Sequence, residues 1–416
     1  MRKIKDSGVA WIGVIPENWQ LLSVGALFKV RNEKVNDTDY PPLSVTKGGI
    51  VPQMESVAKS DATDNRKMVL KNDFVINSRS DRKQSCGVSP LDGSVSLINT
   101  VLHPVPNAPV LPDYLDYLLK NYGFAEEFYR WGHGIVADLW TTRWQEMKNI
   151  FLPIPPVEEQ QKIIFSISTQ MEKVDALIAN VQEQIEKLKA YKHSLITEVV
   201  TKGLDPNVPM KDSGVEWIGE IPKCWNMVRG KALFEECDAR SDDGSEELLT
   251  VSQYTGVTPR SQKSVNMFES TTLEGYKICE VGDIAANTMW LWAGAIGVSE
   301  YRGVISPSYN VYRQKEIKYI SSYLDCLLRI PLLVQEYASR STGIRASRLR
   351  LYPKDFMDIM FPVPPIEEQK TIMDILGKKI DMVNQMISIK QSKIEKLEQY
   401  KRSLIYEYVT GKKEIC

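Results

Sequence analysis

Histidine is scarce in this chain: 416 residues carry only His103, His133 and His193. None is spaced with another His or a Cys as a metal site requires. The six cysteines (Cys86, Cys224, Cys237, Cys279, Cys326, Cys416) are scattered and form no Cys-x-x-Cys pair. They read as reduced thiols, neither a disulfide frame nor a zinc site. No stretch approaches the roughly 20 apolar residues that span a bilayer. Met1-Arg2-Lys3-Ile4-Lys5-Asp6 lacks the apolar run of a signal peptide, so a cytoplasmic location is expected. Gly-x-Gly-x-x-Gly and Gly-x-x-x-x-Gly-Lys-Ser/Thr phosphate loops are absent. So is the Asn/Asp-Pro-Pro-Tyr/Phe tetrapeptide with which amino-methyltransferases hold a flipped base. Glu316-Ile317-Lys318 matches the minimal Glu-x-Lys of many nucleases, but no Pro-Asp partner lies in a nearby strand. An excess of charge is lacking too. The net charge is −1, so any phosphate-binding surface must be local.

What the chain has is repetition. Asp6-Ser7-Gly8-Val9-Ala10-Trp11-Ile12-Gly13-Val14-Ile15-Pro16 returns as Asp212-Ser213-Gly214-Val215-Glu216-Trp217-Ile218-Gly219-Glu220-Ile221-Pro222. Pro155-Pro156-Val157-Glu158-Glu159-Gln160 returns as Pro364-Pro365-Ile366-Glu367-Glu368-Gln369. Ile185-Glu186-Lys187-Leu188 with Tyr191-Lys192 and Ser194-Leu195-Ile196 returns as Ile394-Glu395-Lys396-Leu397 with Tyr400-Lys401 and Ser403-Leu404-Ile405. The offset is 206 residues at first and 209 later, far beyond the period of a solenoid. This is a duplicated unit with a globular part and a helical part, suited to a two-part target.

Each globular part opens on an aromatic loop, Trp11 to Trp19 and Trp217 to Trp225. Short β-branched runs follow, such as Phe74-Val75-Ile76 and Val304-Ile305-Ser306, set between Gly, Pro and Asn. Helical patterns lie near Tyr114 to Tyr122 and Tyr323 to Tyr337. The class is α+β. Each half then ends in a long helix whose consecutive prolines force an extended approach. The Glu pair after them suits the positive end of the helix dipole. Apolar residues then recur at spacings of four and three. The first seam runs Ile167, Met171, Val174, Ile178, Val181, Ile185, Leu188, Leu195, Val199, broken by Lys192. The second runs Leu376, Ile380, Val383, Ile387, Lys390, Ile394, Leu397, Leu404, Tyr408, broken by Lys401. Such a seam pairs with another helix in a coiled coil. It does not say which helix: a spacer between the globular parts and an assembly device for other proteins both fit. From Glu158 to Thr201 the rod would be roughly 65 Å long.

Binding residues are expected where the two copies differ on a common frame. Asp73-Phe74-Val75-Ile76-Asn77-Ser78-Arg79-Ser80-Asp81-Arg82-Lys83 leads to Gly87-Val88-Ser89; its counterpart Asp283-Ile284-Ala285-Ala286-Asn287-Thr288-Met289-Trp290-Leu291-Trp292 leads to Gly297-Val298-Ser299. Asp, Asn and Gly-Val-Ser are kept, while the loop turns from basic to aromatic. Arg79, Arg82 and Lys83 suit phosphates or guanine, and Trp290 suits packing or wedging. A second loop pair follows Gly134 and Gly343, where the later copy carries Arg345, Arg348 and Arg350. Lys47 in Ser44–Gly49, with Gln253 and Arg260 in the matching region, completes the candidate set with Asn77 and Asn287. The plain alternative is that all of these are ordinary loop residues.

The three repeated motifs, in order and over essentially the whole chain, resemble the specificity subunits of type I DNA restriction-modification enzymes. The resemblance implies two α/β globular target-recognition domains, at 1–155 and 205–364. Each is followed by a spacer helix, at 156–204 and 365–416, and the helices pair as an antiparallel coiled coil with pseudo-twofold internal duplication. It implies a non-catalytic subunit that reads a bipartite double-stranded DNA target, one half per domain. The helices would set the gap and dock two adenine methyltransferase subunits. Ile178, Ile185, Leu188, Ile387, Ile394 and Leu397 are the expected helix-packing residues. No cofactor is expected in this chain; S-adenosylmethionine, ATP and Mg2+ belong on partner subunits, which include restriction (motor-nuclease) subunits. The competing reading is a coiled-coil scaffold with no DNA role.

Overall fold

The computed structural model describes residues 2–53, 65–79, 83–134, 140–263, 272–343 and 349–415. They form two compact units that do not follow the repeat boundary. One comprises Met1–Gln182 with Gln391–Cys416, the other Glu183–Lys390. The long helices, Val157–Lys202 and Ile366–Val409, are therefore divided. Each begins in the unit of its own repeat and ends in the unit of the other.

Both units are built on the same antiparallel four-stranded sheet. In the first the order is Cys86–Val88, Phe74–Asn77, Asn99–Pro104, Phe28–Val30. In the second it is Ile296–Val298, Ile284–Ala286, Asn310–Gln314, Phe234–Cys237. Apolar residues dominate these short strands because most are buried; Phe74, Val75, Ile284 and Ala285 have no exposed surface. Two helices pack nearby in each unit. Pro112–Lys120 and Tyr122–Arg130 bury Tyr114, Leu118 and Phe124; Ser321–Leu328 and Pro331–Arg340 bury Tyr323, Leu327 and Tyr337.

The repeated motifs explain themselves at the helix starts. Strands Phe151–Ile154 and Met360–Val363 pair with Gln20–Ser23 and Asn226–Arg229, and the prolines then turn the chain into the helix. The Gln that closes each motif is fully buried. Gln160 Nε2 donates to Pro109 O (2.8 Å) and Pro155 O (2.9 Å), and its Oε1 accepts from Leu111 N (2.8 Å). Gln369 Nε2 donates to Lys318 O (2.8 Å) and Pro364 O (2.9 Å), and its Oε1 accepts from Ile320 N (3.0 Å). Beside each Gln a buried tyrosine reaches the end of the other repeat's helix. Tyr114 donates to Val409 O (3.1 Å), and Tyr323 to Val200 O (2.8 Å). The opening motif and the aromatic loop that continues it reach the helices too: Tyr406 donates to Trp11 O (2.7 Å), and Trp225 Nε1, just past the second motif, donates to Glu368 (3.0 Å). Its Asp-Ser-Gly-Val folds as a tight turn, with Gly8 and Gly214 in the left-handed region that favours glycine.

The helices pack antiparallel within each unit. In the second unit Gln184 faces Lys390 (2.5 Å), and further along the first helix Lys192 faces Asn384 (3.0 Å). The partner position runs backward as the first runs forward. In the first unit Lys401 meets Asp175 (2.5 Å), while Arg2, near one end of the chain, joins Glu159 at the helix start to Glu414 near the other end. Ile167, Val174, Ile178, Val181, Ile185, Leu195 and Val199 are buried, as are Leu376, Val383, Leu404 and Tyr408. Leu188, Ile387, Ile394 and Leu397 are only half-buried. The seam is thus thinner on the second helix, where Lys390 and Lys401 sit in it and hold a polar partner.

Gln369→Leu would leave one donor and two acceptors of the backbone without partners in a dry site. Chemical denaturation should show a loss of about 3 kcal/mol, with Gln160→Leu equivalent. Ile185→Asp places a carboxylate in the seam and should cost on the order of 3 kcal/mol. Met386→Asp, on the exposed side of the second helix, should change stability by less than about 0.5 kcal/mol. Equal losses for the two aspartates would refute the seam.

Candidate nucleic-acid interface

The kept frame turns out to be structural in every member. Asp73 and Asp283 are buried and each accepts a two-pronged guanidinium: Arg31 in the first unit (2.7 and 3.2 Å), Arg313 in the second (2.7 Å for both bonds). These hydrogen bonds hold both arginines still more firmly protonated than usual. Arg31 directly follows strand Phe28–Val30, whereas Arg313 lies in Asn310–Gln314, the counterpart of the strand next to it, so the bond is kept although its donor has moved. Ser89 and Ser299 fold the turn that follows, each donating to a carbonyl two residues on. Gly87 and Gly297 let another strand approach: a Cβ on either would lie 3.0 Å from a glycine Cα of the neighbouring hairpin, Gly49 or Gly256.

The asparagines belong to this frame. Asn77 Oδ1 accepts the Arg79 N–H (3.0 Å), and Asn287 Oδ1 accepts the Met289 N–H (3.2 Å). Asn287, expected at the binding surface, is buried instead; its amide also donates to Tyr309 Oη (2.9 Å). The reason is the loop it opens. Leu291 is wholly buried, and a Cβ on Gly294 would touch Val334 at 3.0 Å, so the aromatic loop packs down on helix Pro331–Arg340. Trp290 stays half exposed and stacks on Trp292 with ring centroids 5.7 Å apart.

In the first unit the two candidate loops meet. Arg79 bridges Thr141, Thr142 N donates to Ser78 O (3.2 Å), and Thr141 exchanges backbone bonds with His133 (2.9 and 3.0 Å). Arg79 is exposed there. Lys83 is already engaged, paired with Glu126 (2.5 Å) and lying over the Tyr129 ring at 4.6 Å. The matching ladder in the second unit is Thr342 with Arg350, which places exposed Arg350 where the first unit has Thr141. Arg82, Arg345 and Arg348 lie outside the described residues.

Lys47 and Gln253 are exposed at the tips of two matching hairpins. Each hairpin is clamped from a helix by a cation that also pairs with an aspartate one turn away. Lys120 donates to Gly48 O (3.2 Å) and pairs with Asp116; Arg329 donates to Tyr254 O (2.7 Å) and pairs with Asp325. Arg260 begins a short 3-10 turn after the second hairpin, half-buried.

Sequence reasoning missed one feature. Beside the Arg79–Thr141 bridge lies an open groove of about 350 Å3 in the first unit. Asn32, Lys67, the exposed pair Leu97–Ile98, Arg143 and Trp144 line it. Lys67 donates to Asn99 O (2.6 Å), and burial lowers its pKa from the usual ammonium value. None of these residues stands in a motif or a charge run, so the chain offered no signal for them.

No protein-family model matches the chain. A putative type I restriction enzyme specificity subunit, MjaX, from Methanocaldococcus jannaschii is 22% identical over 96% of this chain and 95% of its own. The type I restriction enzyme MjaVIII specificity subunit of the same organism is 25% identical over 64% of this chain and 62% of its own. The similarity to the first of these runs over nearly the whole of both chains. A solved chain from work on complex assembly and conformational transition of the type I R-M system shares the fold. It has a TM-score of 0.62 at 16% identity, covering 95% of this chain and 98% of that one. Within this fold the kept frame positions the loops. Gly297→Ala should therefore destabilise the second unit by about 1–3 kcal/mol, because its Cβ also meets Asp325 at 2.9 Å and Val257 N at 3.2 Å. A thermal melt of the full chain unchanged by that substitution would contradict the close approach.

Proposed function

We infer that this chain is the DNA sequence-specificity subunit of a type I restriction-modification complex. It reads a split double-stranded target, one half per globular part, and the paired helices set the gap. It carries out no catalysis itself. Two adenine methyltransferase subunits dock on it with S-adenosylmethionine, and restriction (motor-nuclease) subunits bring ATP and Mg2+. The single observation that carries this reading is the similarity to a named specificity subunit over nearly the full length of both chains.

The molecule's chemistry supports it. The two frames hold the same bonds, while the loops they carry differ, as two readers of different half-sites need. Beyond the seam, the second helix leaves Ile375, Met382, Met386 and Ile389 exposed at spacings of seven, four and three. An uncovered apolar stripe at heptad spacing suits a docked partner. In the described regions no helix is long and apolar enough to cross a membrane.

The test is the host methylome with this gene and its methyltransferase partner expressed together. A split motif carrying N6-methyladenine, lost on deletion of this gene, is the expected result and yields both half-sites. A methylome unchanged by deletion, with an active methyltransferase present, would favour the scaffold reading.

A further inference from the structure

We propose that the groove beside the Arg79–Thr141 bridge is the base-reading surface of the first unit, with Arg143 and the Leu97–Ile98 tip setting its base preference. This rests on the specificity reading above and adds the residues that would carry it.

Three observations converge on the groove. First, it combines an exposed guanidinium with exposed aliphatic side chains. Arg143 is solvent-exposed and holds no ion pair among the described residues, while Leu97 and Ile98 are 40% and 46% exposed. A phosphate backbone has no use for branched aliphatics, whereas base edges do: guanine takes arginine on two acceptors, and the thymine methyl takes an apolar contact. Second, the groove lies where the two variable loops meet, beside the bridge between Arg79 and Thr141 and next to the Ser78–Thr100 hydroxyl pair (2.8 Å). Its walls therefore belong to the part of the unit that differs between copies, yet they rest on the fixed sheet.

Third, the corresponding positions of the second unit change chemistry while the backbone pairing is kept. Lys34 pairs with Lys67 in one sheet as Arg240 bridges Lys277 in the other, which puts Asp238 at the place of Asn32. There Asp238 is committed to Arg240 (2.9 Å) and Lys277 (3.3 Å). By the same register Pro307 and Ser308 replace Leu97 and Ile98, and half-exposed Tyr352 replaces Arg143. Contacts to phosphate carry no sequence information and need not change between two readers. Contacts to bases must change when the half-sites differ. The groove follows the second pattern.

The experiment uses the full chain co-expressed with its methyltransferase partner and reads the methylated motif by sequencing. The variants are Arg143→Ala, Ile98→Ser and, in the other unit, Tyr352→Ala, all at exposed positions, with a thermal melt of each. Arg143→Ala should lower the preference at one base pair of one half-site by about 10- to 100-fold. The gap and the other half should be unchanged, and Tyr352→Ala should relax only the other half. Two results would overturn the proposal: a motif unchanged in both halves by Arg143→Ala and Ile98→Ser, or methylation reduced at every site with base preferences intact, the mark of a phosphate contact. A wild-type chain that yields no split motif would fail earlier, sinking the specificity reading and this proposal with it.

Discussion

The rest of the molecule depends on two dry clamps, one at the start of each long helix. A buried side-chain amide is tolerated only when its hydrogen bonds are made. Gln160 and Gln369 each make three, all to backbone, and each ties the first turn of its helix to the loop that precedes a core helix. A tyrosine next to each binds the last carbonyls of the opposite repeat's helix. So every helix is held at its root by its own repeat and at its tip by the other. The first of these helices has 46 residues and is about 69 Å long, so its two ends are secured by separate sets of bonds.

This arrangement explains why three motifs recur while so much between them differs. The opening turn, the helix start and the helix end all converge on the clamp, so none can change alone. The loops are free of that constraint because a separate frame carries them. The frame itself keeps interactions more strictly than residues. Asp73 and Asp283 stay, but their guanidinium partner moves from Arg31 to Arg313 on the neighbouring strand. What is retained is a buried carboxylate with two charge-assisted bonds, because stripping either partner would leave a charge in a dry place. A frame held this firmly lets a loop change from basic to doubly aromatic without altering the sheet beneath it.

Much of this was legible in the sequence wherever physics imposes a period or a repeated residue. The seam residues Ile178 and Ile185 are buried as their spacing requires, and the proline pairs do turn strand into helix. The role of Gln160 was not legible, because a Gln in a first helical turn looks like any polar surface residue until its neighbours are known. Nor was the division of each helix between the units. Tyr114 and Val409 are 295 positions apart, and no local pattern links them. Asn287 reads as a loop residue beside exposed tryptophans, yet Leu291 draws the whole loop down and buries it. Arg143 gave no signal at all: it is a single arginine, and its counterpart Tyr352 shares none of its chemistry.

The near-zero charge of the chain takes on meaning once its cations are placed. Arg31 and Arg313 are bound to frame carboxylates, Lys120 and Arg329 to the aspartates that clamp the hairpins, and Lys83 to Glu126. These charges hold the fold and have little left to offer a phosphate backbone. Non-specific attraction to nucleic acid grows with the number of phosphates neutralised. Cations tied to carboxylates in this way add little to that sequence-blind term, which falls instead to exposed ones such as Arg79, Arg143 and Arg350, at the loops where the two units differ.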